Sequence, residues 1–313
     1  MKTKEFELPE VTIDYAKGPT ISFSQFNMFS NCPLQWKLKY IDKHKEKAIS
    51  IDLCFGKAMH ETIQHYLTVM FKENVHKAND IDLSEYLLER IYHHYATDVV
   101  SNDNNHFSDP TELNEYFSHG VAILEELRKK RTKYFPTKNV SLVGIESALH
   151  QQVKGKIHFL AYIDVVLYNH DTKRFRVIDL KVSGRGWKKE KKDPSKTSQL
   201  LLYKEYFSKQ FNVPFDNIDV EFMILKRTLY ENAEFVQRRI QQFIPSSGSK
   251  TRKKVLAAVD KFIDFAFDSE GNPLSNKEYP AVTGPNGYNC KYCPFQLRED
   301  LCPKSKRHES ANI

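Results

Sequence analysis

The residues with the most chemistry to offer lie between Phe159 and Tyr203. Asp164 closes one apolar run there, Val177-Ile178-Asp179-Leu180-Lys181 forms another, and Gln199 and Tyr203 follow a basic loop. Asp179 and Lys181 are two apart, so a strand would put both on one face, beside Phe175 and Val177. Residues 169–173 have the composition of a hairpin loop, and a hairpin there would bring Asp164 close to Asp179. Adjacent carboxylates repel unless a cation joins them. Oxygen donors with open positions suit Mg²⁺ or Mn²⁺, which complete their shells with water and phosphate oxygens. A nearby lysine helps a water lose its proton or neutralises charge in a phosphoryl transition state. Taken alone, Asp-x-Lys has a plainer reading: a turn-capping carboxylate beside a solvated amine.

A second constellation is Cys290-x2-Cys293-x8-Cys302. Three cysteines within thirteen residues of a chain that has only five are expected to be metal ligands rather than ordinary buried thiols. Zinc and iron–sulfur centres normally take four ligands. Cys32 is the better fourth, because Cys32-Pro33 repeats the Cys-Pro pairs at Cys293 and Cys302. Cys54 begins an apolar helix and reads as core. The spacing suits Zn²⁺ and [4Fe–4S] alike, and either would clasp the two ends of the chain together.

The elements that must position these residues follow from periodicity. Residues 1–20 read as an extended arm. Helices are predicted from Ser22 to Asn31, over 34–40, 55–71, 83–100 and 112–134. His60 lies at the edge of the apolar stripe of the third, where the helix alone suggests a hydrogen-bonded core histidine. Strands are expected over 140–149, 152–156, 157–168, 175–182, 218–225 and 235–243, with helices over 196–210 and 252–267. Gln199 and Tyr203 are one turn apart and share a helix face. Glu146, in the first strand, is given a structural role. The expected fold is α/β: a central mixed sheet flanked by helices, a helical region over 1–138 carrying Cys32 and His60, a catalytic core over 139–269, and a cysteine-bearing segment over 270–313.

The whole chain narrows the classes. Its 313 residues are 40% hydrophobic, enough for a real core, with a net charge of +7. That modest excess permits a phosphate-rich partner without requiring one. No run is long enough to span a bilayer, no secretory leader is apparent, and a reducing cytoplasm is expected. Gly56-Lys57 and Gly155-Lys156 both lack the following hydroxyl of a phosphate loop, so an ATP-driven motor is not supported.

Taken in order, these pieces resemble the RecB-like, iron–sulfur branch of the PD-(D/E)XK nuclease superfamily, and within it CRISPR-adaptation nucleases and AddAB-type nuclease domains. The residues that carry the resemblance are Ser24-x7-Cys32-Pro33, Gly56-x3-His60, Ile163-Asp164, Asp179-x-Lys181, Gln199-x3-Tyr203 and the terminal cysteines. It implies that His60, Asp164, Asp179 and the Leu180 carbonyl hold the divalent metal. Lys181 would activate the attacking water, Gln199 and Tyr203 would orient the site and contact nucleic acid, and Cys32, Cys290, Cys293 and Cys302 would hold a [4Fe–4S] cluster. His60 is thereby reassigned from core residue to ligand. The sequence departs from the family pattern at Ala161, where glycine is usual, at Asp179, where glutamate is commoner, and in the long last cysteine gap.

The resemblance further implies a DNA exonuclease acting on single-stranded or frayed ends, in recombination, repair or phage DNA metabolism, beside a helicase or recombination protein. The alternative is a catalytically silent DNA-binding or scaffolding subunit of a helicase–nuclease or CRISPR-adaptation complex. Two basic patches are candidate nucleic-acid contacts. Arg185, Trp187, Lys188 and Lys189 combine cations with an aromatic expected to be exposed. Lys253 and Lys254 open a helix, where positive charge is unfavourable without an external anion.

Overall fold

A computed structural model describes residues 7–44, 49–187 and 194–310. Its elements in chain order are β1 (Thr20–Ile21), α1 (Phe23–Asn31), α2 (Pro33–Tyr40), α3 (Ile51–Lys72), α4 (Val75–Asp80), α5 (Leu83–Val100), α6 (Pro110–Lys129) and α7 (Arg131–Tyr134). Then come β2 (Val140–Lys154), β3 (Ile157–Asn169), β4 (Arg174–Ser183), α8 (Pro194–Gln210), β5 (Ile218–Lys226) and β6 (Ile240–Phe243). The chain ends with α9 (Ser249–Ala266), β7 (Ala281–Val282) and β8 (Arg307–His308). Helix starts follow side-chain caps: Ser22, Ser50, Asp82 and Asp109 each accept a backbone N–H of the first turn.

Two compact units divide the chain. One comprises chiefly Ile49–Ser147 and Tyr162–Pro245; the other comprises Val11–Ala48, Ala148–Ala161 and Ser246–Ile313. The first holds β4, β5, β6 and the greater part of β3 from the mixed sheet. Here β3 and β4 are antiparallel, with Val165 opposite Ile178; β4 and β5 are parallel, with Asp179 opposite Phe222; β5 and β6 are antiparallel. Both faces of β4 are covered, as a central strand requires. Ile178 and Leu180 join a core with α3, α5 and α6 that includes Phe55, Met59, Ile63 and Leu124. On the alternate residues Phe175 meets Phe207 of α8 at 5.3 Å. The sheet therefore lies between helices on both faces.

The second unit has an aromatic core. Phe262 of α9 packs at 4.7 Å from Phe29 of α1 and edge-on at 5.3 Å from Trp36 of α2, with Phe267 and Tyr279 completing the cluster. β7 and β8 pair in parallel.

Three expectations change. The strands foreseen over 140–149 and 152–156 are one strand, β2, kinked at Glu146, which has φ of 47°. Residues 235–239 are not strand, and β6 begins only at Ile240; Phe235 and Val236 are exposed and meet no facing layer. The helix expected to run through to Tyr134 breaks at Lys130 into α6 and α7.

Candidate active site and cysteine pocket

The hairpin β3–β4 places Asp164 one register step beyond the Val165–Ile178 pair, beside Asp179. Directly opposed residues of a sheet point to one face. Asp164 is therefore tied to β4 itself: its Oδ2 accepts the Leu180 N–H at 2.6 Å. Asp179 is buried, at 3% exposure, and is held from two sides. Gln199 Nε2 donates to its Oδ1 at 2.8 Å, and Lys181 Nζ stands 2.6 Å from its Oδ2. The same Gln199 amide contacts the Tyr203 hydroxyl at 2.9 Å, one turn along α8. His60 of α3 brings Nδ1 to 3.6 Å from Asp164 Oδ1.

The electrostatics follow from this crowding. Burial pushes Asp179 up to about 6; Lys181 pulls the other way, and the charge of Asp164 adds to the rise. Burial alone would lower His60, but the hydrogen bond and charge of Asp164, helped by Asp179, leave it raised. Burial, then the neighbouring Asp179 charge, raises Tyr203 well above an ordinary phenol.

Sequence reasoning missed Gln64. It lies one turn after His60 on α3, and its amide donates to Glu146 Oε1 and, at 3.4 Å, to the Asp164 carbonyl. The signal was available in the i, i+4 spacing from His60. Glu146 reaches this network through its left-handed backbone, which re-aims a strand side chain. A Cβ on Gly144 beside it would lie 1.9 Å from Ser147 Oγ, so a larger residue there would displace that hydroxyl.

Among the described residues, no three His, Cys, Asp or Glu side chains converge as a ready metal-ligand set. Around Asp179 the position nearest Oδ2 is filled by the Lys181 ammonium, and that oxygen accepts no well-formed hydrogen bond. A buried carboxylate oxygen facing only a cation, beside a second carboxylate and an imidazole, is a donor set whose chemistry fits a hard divalent ion.

The cysteines lie in the other unit, around one cavity but without converging as a ready ligand set. Cys32, Cys290, Cys293 and Cys302 line one cavity with Leu34, Ala281 and Phe295. Long-range hydrogen bonds bring Cys32 to the C-terminal segment: Leu34 N donates to Pro280 O at 3.1 Å, Asn289 Nδ2 to Asn31 O at 2.6 Å, and Val282 N to Cys32 Sγ at 3.3 Å. Burial raises the Cys32 thiol, with N–H groups of Val282 and Gln35 opposing it, and raises Cys293 to about 11. In the absence of a metal such burial favours the neutral thiol, and the Val282 N–H at Cys32 Sγ opposes it. Cys54 lies elsewhere, fully buried, with Sγ 3.5 Å from Ile91 O.

The basic patches fare differently. Trp187 is half-buried rather than exposed, its ring 5.0 Å from Phe222 and 5.7 Å from Phe243. Its backbone is clamped by the Gln241 amide. Much of its aromatic surface packs on the sheet, which corrects the expectation that the ring is exposed. Arg185 is exposed. Lys188 and Lys189 lie outside the described residues. Lys253 and Lys254 are exposed in the first turns of α9, whose N-cap, Gly248, offers no side chain.

A mixed sheet between helices, with two carboxylates and a lysine on neighbouring strands, is the framework of a PD-(D/E)XK core. The family model of the PD-(D/E)XK nuclease superfamily matches residues 20–302, and the chain belongs to that superfamily. Among solved structures it is similar to the crystal structure of SSO0001, at 17% identity over 87% of this chain and 94% of that one, with a TM-score of 0.32. No curated protein matches. No helix among the described residues is long and apolar enough to cross a membrane.

Proposed function

We propose that this chain is a metal-dependent deoxyribonuclease that hydrolyses phosphodiester bonds at single-stranded or frayed DNA ends, such as a helicase or recombination protein exposes in recombination, repair or phage DNA metabolism in a reducing cytoplasm. One observation carries the reading: Asp164, Asp179 and Lys181 meet at the β3–β4 hairpin, with Asp179 buried against the Lys181 ammonium. His60, Asp164, Asp179 and the Leu180 carbonyl would hold Mg²⁺ or Mn²⁺. Bound there, the ion supplies Lewis-acid polarisation of a phosphate oxygen and a more acidic water.

The protein's own groups do the rest. Lys181 is about one-third exposed, so its ammonium can leave Asp179 and turn to a phosphate oxygen or to the attacking water. Gln199 holds the Asp179 carboxylate in one orientation while Tyr203 fixes the Gln199 amide. Asp164 is locked by the Leu180 N–H, which leaves its Oδ1 toward His60.

In this proposal the four cysteines hold a [4Fe–4S] cluster, supported by their shared cavity and by the N–H donated to Cys32. Structural Zn²⁺ is the competing occupant. Broad visible absorbance with iron and acid-labile sulfide in anaerobically purified protein supports the cluster; colourless, zinc-loaded protein rejects it.

The deciding assay titrates Mg²⁺ or Mn²⁺ with end-labelled linear and circular single-stranded DNA. Metal-dependent loss of the linear substrate, absent in Asp179→Ala, is expected. Protein that leaves both substrates whole at every metal concentration would refute the enzyme and favour a silent binding subunit.

A further inference from the structure

The parallel strands β4 and β5 end side by side, and the segments that leave them are stitched together. Arg227 N donates to Ser183 O at 2.9 Å and Thr228 N to Gly184 O at 2.8 Å. Just beyond opens a cleft of about 740 Å³, lined by Arg185, Tyr230, Arg239, His119, Glu115 and Glu231 among others. Pockets for small organic groups run from about 300 to 1,000 Å³, and the carboxyl ends of parallel strands are where α/β sheets place ligands. Arg185 is four residues beyond Lys181, so their Cα atoms are no more than ~14 Å apart along an extended chain.

Four features describe what would bind here. Tyr230 is an aromatic side chain that keeps 50% of its surface exposed. The Arg185 guanidinium lies 5.3 Å from its ring centre, forming a cation–aromatic platform. Tyr230 is held in place by its own loop: its N–H donates to Gln237 Oε1 at 2.7 Å, and Gln237 Nε2 donates to its carbonyl at 2.6 Å. His119 Nδ1 is buried without a hydrogen bond, its nearest charged neighbour being Glu115 at 3.8 Å.

The charges select among nucleotide parts. Arg185 and Arg239 are matched by Glu115 and Glu231 along the lining, so the cleft is no phosphate cradle. A rigid flat platform ringed by both donors and acceptors suits the face and edge of a nucleobase. A base can reach it only when unpaired and unstacked.

We propose that this cleft is a base-binding subsite that accepts one unstacked nucleobase of a single DNA strand, stacked on the Tyr230–Arg185 platform. The subsite makes the protein selective for single strands. It rests on the nuclease reading only for the position of the scissile phosphate.

The test uses full-length protein in EDTA and an oligodeoxynucleotide carrying 2-aminopurine, whose fluorescence falls when the base stacks on an aromatic ring. Wild-type protein and Tyr230→Phe should quench the probe; Tyr230→Ala should lose the quench and bind the single strand roughly tenfold more weakly, within the range of one base–aromatic stack. Duplex binding should change far less. Equal quench and equal affinity in Tyr230→Ala would overturn the subsite, as would wild-type protein that binds the strand without quenching it. Wild-type protein that quenches through Tyr230 yet cleaves nothing with Mg²⁺ would sink the nuclease reading and leave the subsite standing. Tyr230 lies on an exposed loop, so the melting temperature of each variant checks that only the platform was removed.

Discussion

The carboxylate site and the cysteine pocket are built in opposite ways. Asp164, Asp179 and Lys181 project from regular strands, and their side chains are fixed by a hairpin register and by a helix packed on one face. The cysteines lie in turns and at a helix junction, and they line one cavity because hydrogen bonds between residues some 250 apart in sequence hold the two segments together. The first arrangement carries strain: a carboxylate is buried beside another carboxylate and partly neutralised by an amine. The second carries sequestered thiols in an apolar cavity. A site for chemistry tolerates electrostatic cost on a rigid frame, whereas a clasp supplies rigidity where regular structure is sparse.

That contrast predicts different failures. The largest effect belongs to Lys181→Ala. Cleavage should fall by about a hundredfold or more, with only a modest drop in melting temperature, because Asp179 can take up a proton when it loses its ammonium partner. An active Lys181→Ala would remove the lysine from the chemistry.

Cys32→Ser should do the reverse. Stability should drop sharply and visible absorbance should vanish, as expected when a ligand holding distant segments is lost. An unchanged melting temperature and spectrum would reduce the cysteine pocket to ordinary packing.

Asp179→Asn sharpens the comparison through pH. Asp179 rises from 3.8 to about 6 on folding. The native state then keeps a proton that the unfolded chain releases, so metal-free stability falls as pH climbs from about 4 to 6. Asp179→Asn should lose that slope and melt higher than wild type at pH 7, while Gln199 Nε2 can still donate to the new amide oxygen. Thermal melts from pH 4 to 7 in EDTA check this, and a lower melting temperature for the variant at pH 7 contradicts it.

The smallest effect is at the uncapped start of α9. Lys253→Ala and Lys254→Ala should each weaken DNA binding without regard to sequence and flatten the salt dependence by about one unit of log–log slope. Identical slopes would show these cations to be solvated surface.

Much of the frame was legible because local periodicity encodes it. Alternation placed Asp179 and Lys181 on one face of β4, and a capping hydroxyl marked the start of α1. Gln64 was legible only in part: its i, i+4 spacing puts it on the face of His60, but its partners, Glu146 and the Asp164 carbonyl, are 82 and 100 residues away. Trp187 misled for the same reason: a Lys-rich neighbourhood suggests exposure, but Phe222 and Phe243 offer it an apolar wall that no local pattern reveals.

By itself the sequence determined which donors exist and in what periodic order: two aspartates, a lysine, a histidine and four Cys-Pro or Cys-x-x-Cys thiols. Tertiary structure alone decided that Lys181 closes on Asp179, that Glu146 turns inward at a left-handed kink, and that Tyr230 and Arg185 share a cleft. The physical reason is range. Periodicity and capping act over a few residues, whereas burial and side-chain pairing depend on neighbours that only the folded chain brings together.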